Sequence, residues 1–388
     1  MDLIISAQRL YTPLVVVERP LVFIAQGVIR RIVSRQEAEV PADGRVVELE
    51  DSILVPGFID MHIHGGSGHD VMESDNKALP AVEALLFRHG VTGYFPTTIT
   101  AALDLTLAAL ERLADAIERA GENGMRGQRA RPLGIHLEGP FISHKRPGVH
   151  PIDDLLEPTI ETFDKLWQAS RGHIKVLTIA PELNGATGVI AEASRRGVCV
   201  SIGHSDADTA AAQAGVAAGA RHATHTFNAM RPLDHREPGI VGEVLTDARI
   251  SAEIIADGVH IDPMVVELFL RAKGTEGAVL VTDATAATGM PDGKYRLGSL
   301  EVDVANGRCV ANGKLAGSVL TLDKAVRNVM KFANWNLQQA VRLATLNPAR
   351  AARLDATAGQ LVPGAVADLV ALTASGEVRQ TIVRGQVA

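Results

Sequence analysis

His62 and His64 stand two residues apart in the stretch PGFIDMHIHGG, residues 56–66. Side chains at i and i+2 of a strand share a face, so the two imidazoles converge on one spot. Converging neutral imidazoles are ligands for a divalent transition metal. Residues of the same chemical kind close other apolar runs: Glu138 in PLGIHLEG, His204 in VCVSIGHS, His225 in HATHTF, His260 in ISAEIIADGVH and Asp283 in AVLVTDAT. If the chain brings these run ends together, imidazoles and two carboxylates form a ligand set for Zn²⁺ or Fe²⁺. A lone histidine beside an apolar run is more often hydrogen-bonded in the core or on the surface, and His89, His173, His222 and His235 take that reading.

The positioning elements follow from periodicity. From Ile53 onward, eight short apolar runs alternate with segments of helical spacing such as ALPAVEALLFRHG, LDLTLAALERLADAIERAG and PMVVELFLRAKG, several closed by glycine. Eight βα units in succession predict an α/β fold with a parallel (β/α)₈ TIM-like barrel, in which strand ends and the loops after them carry the chemistry. A doubly wound open sheet is the alternative, but the glycine cluster GGSGHD lacks the GxGxxG order of a dinucleotide site. The two ends of the chain read as short strands and turns, LVFIAQGVIRRIV and GQLVPGAVADLVALTASGEVRQTIVRGQ, and neither has apolar faces enough for its own core. The expected division is therefore a small β-sandwich domain from residues 1–52 and 353–388 and a catalytic barrel from 53–352. The segment NGMRGQRARP, 123–132, reads as a surface loop before the third strand.

Bulk properties bound the partners. With 388 residues, 46% of them hydrophobic, the chain can bury a full core. A net charge of −7 with no basic run argues against nucleic acid or an anionic membrane as partner. The first residues lack a basic leader with an apolar block, and no apolar run reaches ~18 residues, so the expected location is cytoplasmic. Cys199 and Cys309 have no CxxC spacing and read as inert thiols.

PGFIDMHIHG, GHS, HATHTFNAM and VTDAT together resemble the amidohydrolase superfamily of metal-dependent barrel hydrolases. HLEGPFI (136–142), GVHP (148–151), THTFNAM (224–230), REPG (236–239) and DGVH (257–260) resemble its branch acting on N-acetylated amino-sugar 6-phosphates. That resemblance implies hydrolysis of an acetamido bond. It implies that Glu138, His204 and His225 hold one divalent ion, Zn²⁺ or Fe²⁺ with Mn²⁺ or Co²⁺ as alternatives, and that His62 and His64 complete a second position with Glu138 bridging. Whether one ion or two is bound stays open. Many relatives bridge two ions with a carboxylated lysine at the end of strand four, whereas here that strand ends TIAPE and Lys175 lies at its start. By the same resemblance Asp283 is the general base and later the proton donor, and His150 polarises the amide carbonyl. Asn228, Ala229, Arg236 and His260 contact sugar and phosphate, with Arg236 reaching a neighbouring subunit's site in a homodimer. Glucosamine or galactosamine stereochemistry stays open as well. A non-catalytic barrel scaffold is the reading from another class, and it would be expected to have lost ligands that this chain keeps.

Overall fold

The computed structural model describes residues 3–38, 44–122 and 128–387. Eight parallel strands form the barrel: Phe58–Ile63, Val91–Thr98, Ile135–Glu138, Ile174–Ile179, Cys199–Ile202, His222–Ala223, Ser251–Ile254 and Ala278–Leu280, here numbered one to eight. Each pairs with the next in parallel register. A parallel bridge from Ile63 to Ala284 and the bond from Asp283 N–H to His62 C=O, 2.9 Å, join strand eight to strand one. The strands are buried on both faces, as a helix-wrapped parallel sheet requires.

Helices follow the strands where helical spacing predicts them, for example Ala78–Arg88, Leu103–Glu122, Ile160–Ala169 and Pro263–Gly277. Two of these starts carry polar caps: Thr159 accepts from Thr162 N–H and Asp262 from Met264 N–H. The amphipathic helix Leu322–Ala333 buries Leu322, Ala325, Val326 and Val329 against the barrel.

Strands from both ends of the chain share one seven-stranded sheet. Leu3–Tyr11 and Val46–Pro56 run parallel at its centre, and Leu369–Leu372 and Val378–Ile382 extend it antiparallel beside Val46–Pro56. Alternation in Leu3–Tyr11 sends Leu3, Ile5 and Ala7 to one core and Ile4 to another. The run ILVPGFIDMHIH, read as a single strand, serves two sheets. Its first part ends the small sheet at Pro56, and barrel strand one begins at Phe58. The passage lies at Gly57, a few residues beyond an end at 52. A Cβ at Gly57 would stand 2.1 Å from Thr92 Oγ1, so only glycine lets the chain change sheets there.

A four-stranded antiparallel sheet, Gly293–Leu297, Leu300–Ala305, Arg308–Ala311 and Lys314–Leu315, intervenes between strand eight and Leu322–Ala333. It was not anticipated, although Asn306-Gly307 and Asn312-Gly313 are strong hairpin turns and both pairs adopt positive φ. Of the expected loop 123–132, residues 123–127 lie outside the described residues, and Arg131–Pro132 adds a short strand beside Val91–Thr98. Cys199 and Cys309 are free and buried. Among the described residues no helix is long and apolar enough to cross a membrane.

Candidate metal centre and acyl-transfer site

Glu138, the last residue of strand three, is the hub of the site. Its Oε1 lies 3.4 Å from His62 Nε2, 3.3 Å from His204 Nε2 and 3.2 Å from His225 Nε2. Its Oε2 lies 3.2 Å from His64 Nε2 and 3.4 Å from His150 Nε2. Asp283 Oδ1 stands 3.2 Å from His64 Nε2 and 3.5 Å from His62 Nε2. Three of these residues curl out of their strands with left-handed backbone: His204 at φ 47°, His225 at φ 25° and Asp283 at φ 50°. Such conformations cost roughly 1–3 kcal/mol each for a residue with a Cβ and persist where the surroundings enforce them. Here they turn the side chains into the barrel mouth.

Hydrogen bonds on the far side of four of these rings assign their protons, while His225 Nδ1 is buried without a partner among the described residues. His64 Nδ1 donates to Thr97 C=O at 3.0 Å, His204 Nδ1 to Arg146 C=O at 3.1 Å and His62 Nδ1 to Glu253 Oε2 at 3.1 Å. Their Nε2 atoms therefore carry lone pairs when the rings are neutral. His150 is the reverse. Its Nδ1 accepts from Thr100 N–H at 3.3 Å, so the proton sits on Nε2 and points into the site. Burial pushes His150 down to about 4 despite its hydrogen bond to Glu138, so this donor is a neutral ring at neutral pH. The chain thus presents bare nitrogens from three histidines and one N–H, and a ligand differs from an electrophile in that proton.

A cavity of about 140 Å³ opens onto this group, lined by His64, Glu138, His150, His204, His225, Asn228, Ala229, His260 and Asp283, with Ile99, Val149, Leu297 and Leu315 as its apolar side. Leu297 and Leu315 come from the intervening four-stranded sheet. His260 binds Asp257 Oδ2 through Nδ1 at 2.7 Å; burial opposes its charge, but Asp257 outweighs that and raises it. Asn228 Nδ2 donates to His225 C=O at 3.2 Å, and Ala229 adopts φ 49°. Arg236 is not brought to the cavity. It lies exposed on the loop between Arg231 and Gly239, its backbone N–H bonded to Asp234 at 2.8 Å.

The family model of the amidohydrolase family matches residues 53–388. The chain belongs to the amidohydrolase family. It is 40% identical over 347 residues to the N-acetylglucosamine-6-phosphate deacetylase of Lysinibacillus sphaericus, covering 88% of this chain and 87% of the relative. It is 38% identical over 386 residues, 99% of each chain, to the N-acetylgalactosamine-6-phosphate deacetylase of Escherichia coli O157:H7. Among solved structures, a mutant N-acetyl-D-glucosamine-6-phosphate deacetylase from Mycobacterium smegmatis in complex with N-acetyl-D-glucosamine-6-phosphate superposes with a TM-score of 0.91 at 33% identity, covering 99% of this chain and 98% of that one.

Amidohydrolases are metal-dependent, and the donor chemistry here fits a divalent cation. Nε2 atoms of His62 and His64 approach to 3.3 Å and those of His204 and His225 to 3.1 Å, distances at which two lone pairs repel unless a proton or a metal lies between them. His62, His64 and Asp283 form one triplet of possible ligand atoms, and Glu138 and His204, 3.3 Å apart, belong to another whose third member, His150, carries its proton on Nε2 and is excluded as a ligand. The buried carboxylates also demand positive charge. Burial works against a charged His64, yet the hydrogen bonds it donates to Asp283 and Glu138 outweigh that and raise the ring to about 9. Burial likewise opposes ionisation of Asp283, but the charge of His62 and contact with His64 bring it to about 2. Protons on these histidines do for the ionised carboxylates what a metal would do.

Several residues the sequence reading passed over hold this arrangement. Glu253, fully buried on strand seven, accepts from His62 Nδ1, from His225 N–H at 3.0 Å and from His222 Nε2 at 3.2 Å. A single carboxylate inside the apolar run ISAEII was its available signal. Asp60 accepts from Thr282 Oγ1 at 2.6 Å and ties strand one to strand eight. His136, under His62 with ring centroids 4.6 Å apart, donates to Met61 C=O at 3.0 Å.

Proposed function

We propose that this chain hydrolyses the acetamido bond of N-acetylglucosamine 6-phosphate, giving acetate and glucosamine 6-phosphate in amino-sugar catabolism and cell-wall recycling. The observation that carries the reading is the direction of the rings at one barrel mouth: with neutral rings, His62, His64 and His204 turn Nε2 lone pairs toward Glu138 and Asp283, while His150 turns an N–H there.

Glu138, His204 and His225 would hold one divalent cation, and His62 and His64 with Glu138 a second; the reading takes Zn²⁺ or Fe²⁺ first and Mn²⁺ or Co²⁺ as alternatives. Such an ion supplies Lewis acidity, which lowers the pKa of water from about 15.7 toward about 7 and polarises a carbonyl. Asp283, ionised at the mouth, is placed to take a proton from the attacking water as its oxygen bonds to the amide carbonyl carbon. It then returns that proton to the amine nitrogen as the C–N bond breaks. His150 Nε2–H donates to the amide oxygen as negative charge develops there. Because the ring is neutral, it does so without placing a net cation beside the metal position. Asn228, Ala229 and the positively biased His260 receive the sugar and phosphate. Arg236, exposed and remote from its own cavity, would complete the phosphate site from the partner subunit of a homodimer, gripping oxygens in pairs. The cytoplasm is the compartment this reading takes.

The relative from Escherichia coli O157:H7 supports a second reading, the galactosamine epimer, because it aligns over 99% of both chains. Acetate release measured side by side from the 6-phosphates of N-acetylglucosamine and N-acetylgalactosamine tests both. A higher kcat/KM for the gluco compound is expected. A higher value for the galacto compound would reverse the assignment, and no acetate from either by metal-loaded protein would remove it.

A further inference from the structure

A second cavity, of about 530 Å³, opens at the opposite end of the barrel, where Cys199 and Ser251 begin strands five and seven and Gly277 precedes strand eight. Its size is in the range of small-molecule sites, roughly 300–1,000 Å³. Five cations line it, Arg221, Arg249, Lys273, Arg350 and Arg353, against one carboxylate, Glu276, in a chain whose net charge is −7.

Their pairing is uneven. Arg249 is matched by Asp247 at 2.5 Å, and Glu276 is taken by Arg342 at 2.8 Å. Arg221 Nη1 donates to the carbonyls of Val216 and Ala220 at 2.7 and 2.6 Å, and Lys273 Nζ to those of Val244 and Asp247 at 2.8 and 3.0 Å. Carbonyls at helix ends satisfy these hydrogens but leave the charges unneutralised. Among the described residues the Arg350 guanidinium has only Asp355, 3.9 Å away.

End-capping does not account for Arg353. It follows the helix Leu346–Ala351, with its N–H on Arg350 C=O at 3.0 Å, Leu354 N–H on Ala349 C=O at 2.7 Å, and φ 58°. That is the left-handed helix end at which glycine is the default, and a residue with a Cβ costs about 1–2 kcal/mol there. Arg171 occupies a similar conformation, φ 50°, and puts its guanidinium on Asp115 and Glu118 at 2.6 and 2.9 Å. The Arg353 guanidinium has no hydrogen bond or ion pair among the described residues. Arg353, Arg350 and Arg221 are all solvent-exposed and Arg19 shows a similar φ of 47° away from this cavity, so what distinguishes Arg353 is its place beside two further arginines in one concavity.

We propose that this cavity is a second anion site for a phosphorylated small molecule, whose phosphate is gripped by Arg350 and Arg353 beside Arg221. Guanidinium groups bind phosphate oxygens bidentately, and none of the three is neutralised by a close carboxylate. The site is independent of the catalytic mouth and does not rest on the activity proposed above.

The test uses the full-length, metal-loaded protein and hydrogen exchange followed during titration with inorganic phosphate, with sodium chloride at matched ionic strength as control. Saturable protection is expected over residues 197–200 and 346–354, with none in chloride. Glucose 6-phosphate in place of phosphate asks whether a sugar shares the cavity, and tighter half-saturation would extend the site to sugar phosphates. In R350A/R353G the protection of these segments should need about tenfold more phosphate or more. R350K/R353K should keep most of it. R353G alone should melt at or above the wild-type temperature in chloride, because glycine relieves the backbone strain, so lost binding cannot be laid to lost folding. Protection that is absent in the wild type, or that has the same half-saturation in R350A/R353G, would overturn the proposal.

Discussion

Glu253→Gln is the perturbation that most directly probes how the metal centre is held. Glu253 Oε2 accepts two hydrogen bonds, from His62 Nδ1 at 3.1 Å and His225 N–H at 3.0 Å, while Oε1 faces His222 Nε2 at 3.2 Å. Glutamine keeps the volume but has one oxygen. With that oxygen toward His62 and His225, its NH₂ meets His222, which can shift its proton to Nδ1 because Ser251 Oγ, 2.6 Å away, can accept it. No donor is then stranded, and the change reduces to the loss of charge assistance in two bonds. Bonds to a charged partner contribute about 1.5–3 kcal/mol against about 1 kcal/mol for neutral ones, so the two bonds together should lose roughly 1–4 kcal/mol in orienting His62 and the backbone of His225. Divalent-cation affinity should fall by about 10–100-fold, the range for outer partners of metal-binding histidines. The assay is competition with a chelator, read by elemental analysis, alongside the melting temperature of the stripped protein. Ions held by His62 should be lost before those held by His204, since of the histidines expected to bind metal His62 bonds Glu253 through its ring and His225 only through its backbone N–H. Wild-type affinity at both positions would refute this account of Glu253.

Asp283→Asn should lower kcat by about 10²-fold or more, the scale of a lost acid–base group, while elemental analysis finds metal still held through Glu138, His204 and His225. In metal-free protein His64, raised from 6.5 to about 9, contributes stability that is fully present below pH 6.5 and lost as pH rises through about 9. The stripped protein should therefore lose melting temperature across that window, and metal uptake at pH 7.5 should release protons, as calorimetry in buffers of different ionisation heat would show. For Arg236, mixing inactive Arg236→Ala and Asp283→Asn subunits should restore about a quarter of wild-type activity, because about half of random dimers are mixed and each holds one complete site. No recovery after demonstrated subunit exchange would exclude sharing of the arginine.

Strand-end residues were legible because a parallel barrel converts a one-dimensional feature, the last polar residue of an apolar run, into a shared place. His62, His64, Glu138, His204, His225 and Asp283 meet for that reason. What lay beneath them was not legible by the same route. Glu253 sits in the middle of its run, and its relation to His62 depends on which side chains of strands one and seven point inward at one level. Thr97 and Arg146 act through backbone carbonyls, which every residue has, so residue type carries no signal. The hairpins at Asn306-Gly307 and Asn312-Gly313 were legible in their turn residues and overlooked because they fall outside the βα alternation.

The interior of the barrel follows a constraint that starts at the metal ligands. Barrels of this kind are ordinarily filled by branched apolar side chains in layers contributed by alternate strands. Here strands one, three and seven contribute His62, His136 and Glu253, whose ligand atoms lie within 4.8 Å of one another. His136 donates through Nδ1 to Met61 C=O, so its Nε2 accepts the hydroxyl of Thr178 at 2.7 Å. The Thr178 oxygen is then free to accept from Thr224 at 2.7 Å, and Thr224 from Ser201 at 2.6 Å. Burial pushes His136 down to about 3, so it stays neutral and the chain of hydroxyls keeps one direction. A buried polar layer of this kind is tolerable only when its members are satisfied. A bare Nε2 at the mouth requires an Nδ1–H facing away from it, and that N–H requires an acceptor. For His62 the acceptor is a buried carboxylate, whose other oxygen needs a donor of its own, supplied by His222. The polar interior is thus the continuation, residue by residue, of the requirement that His62 present a lone pair to a cation.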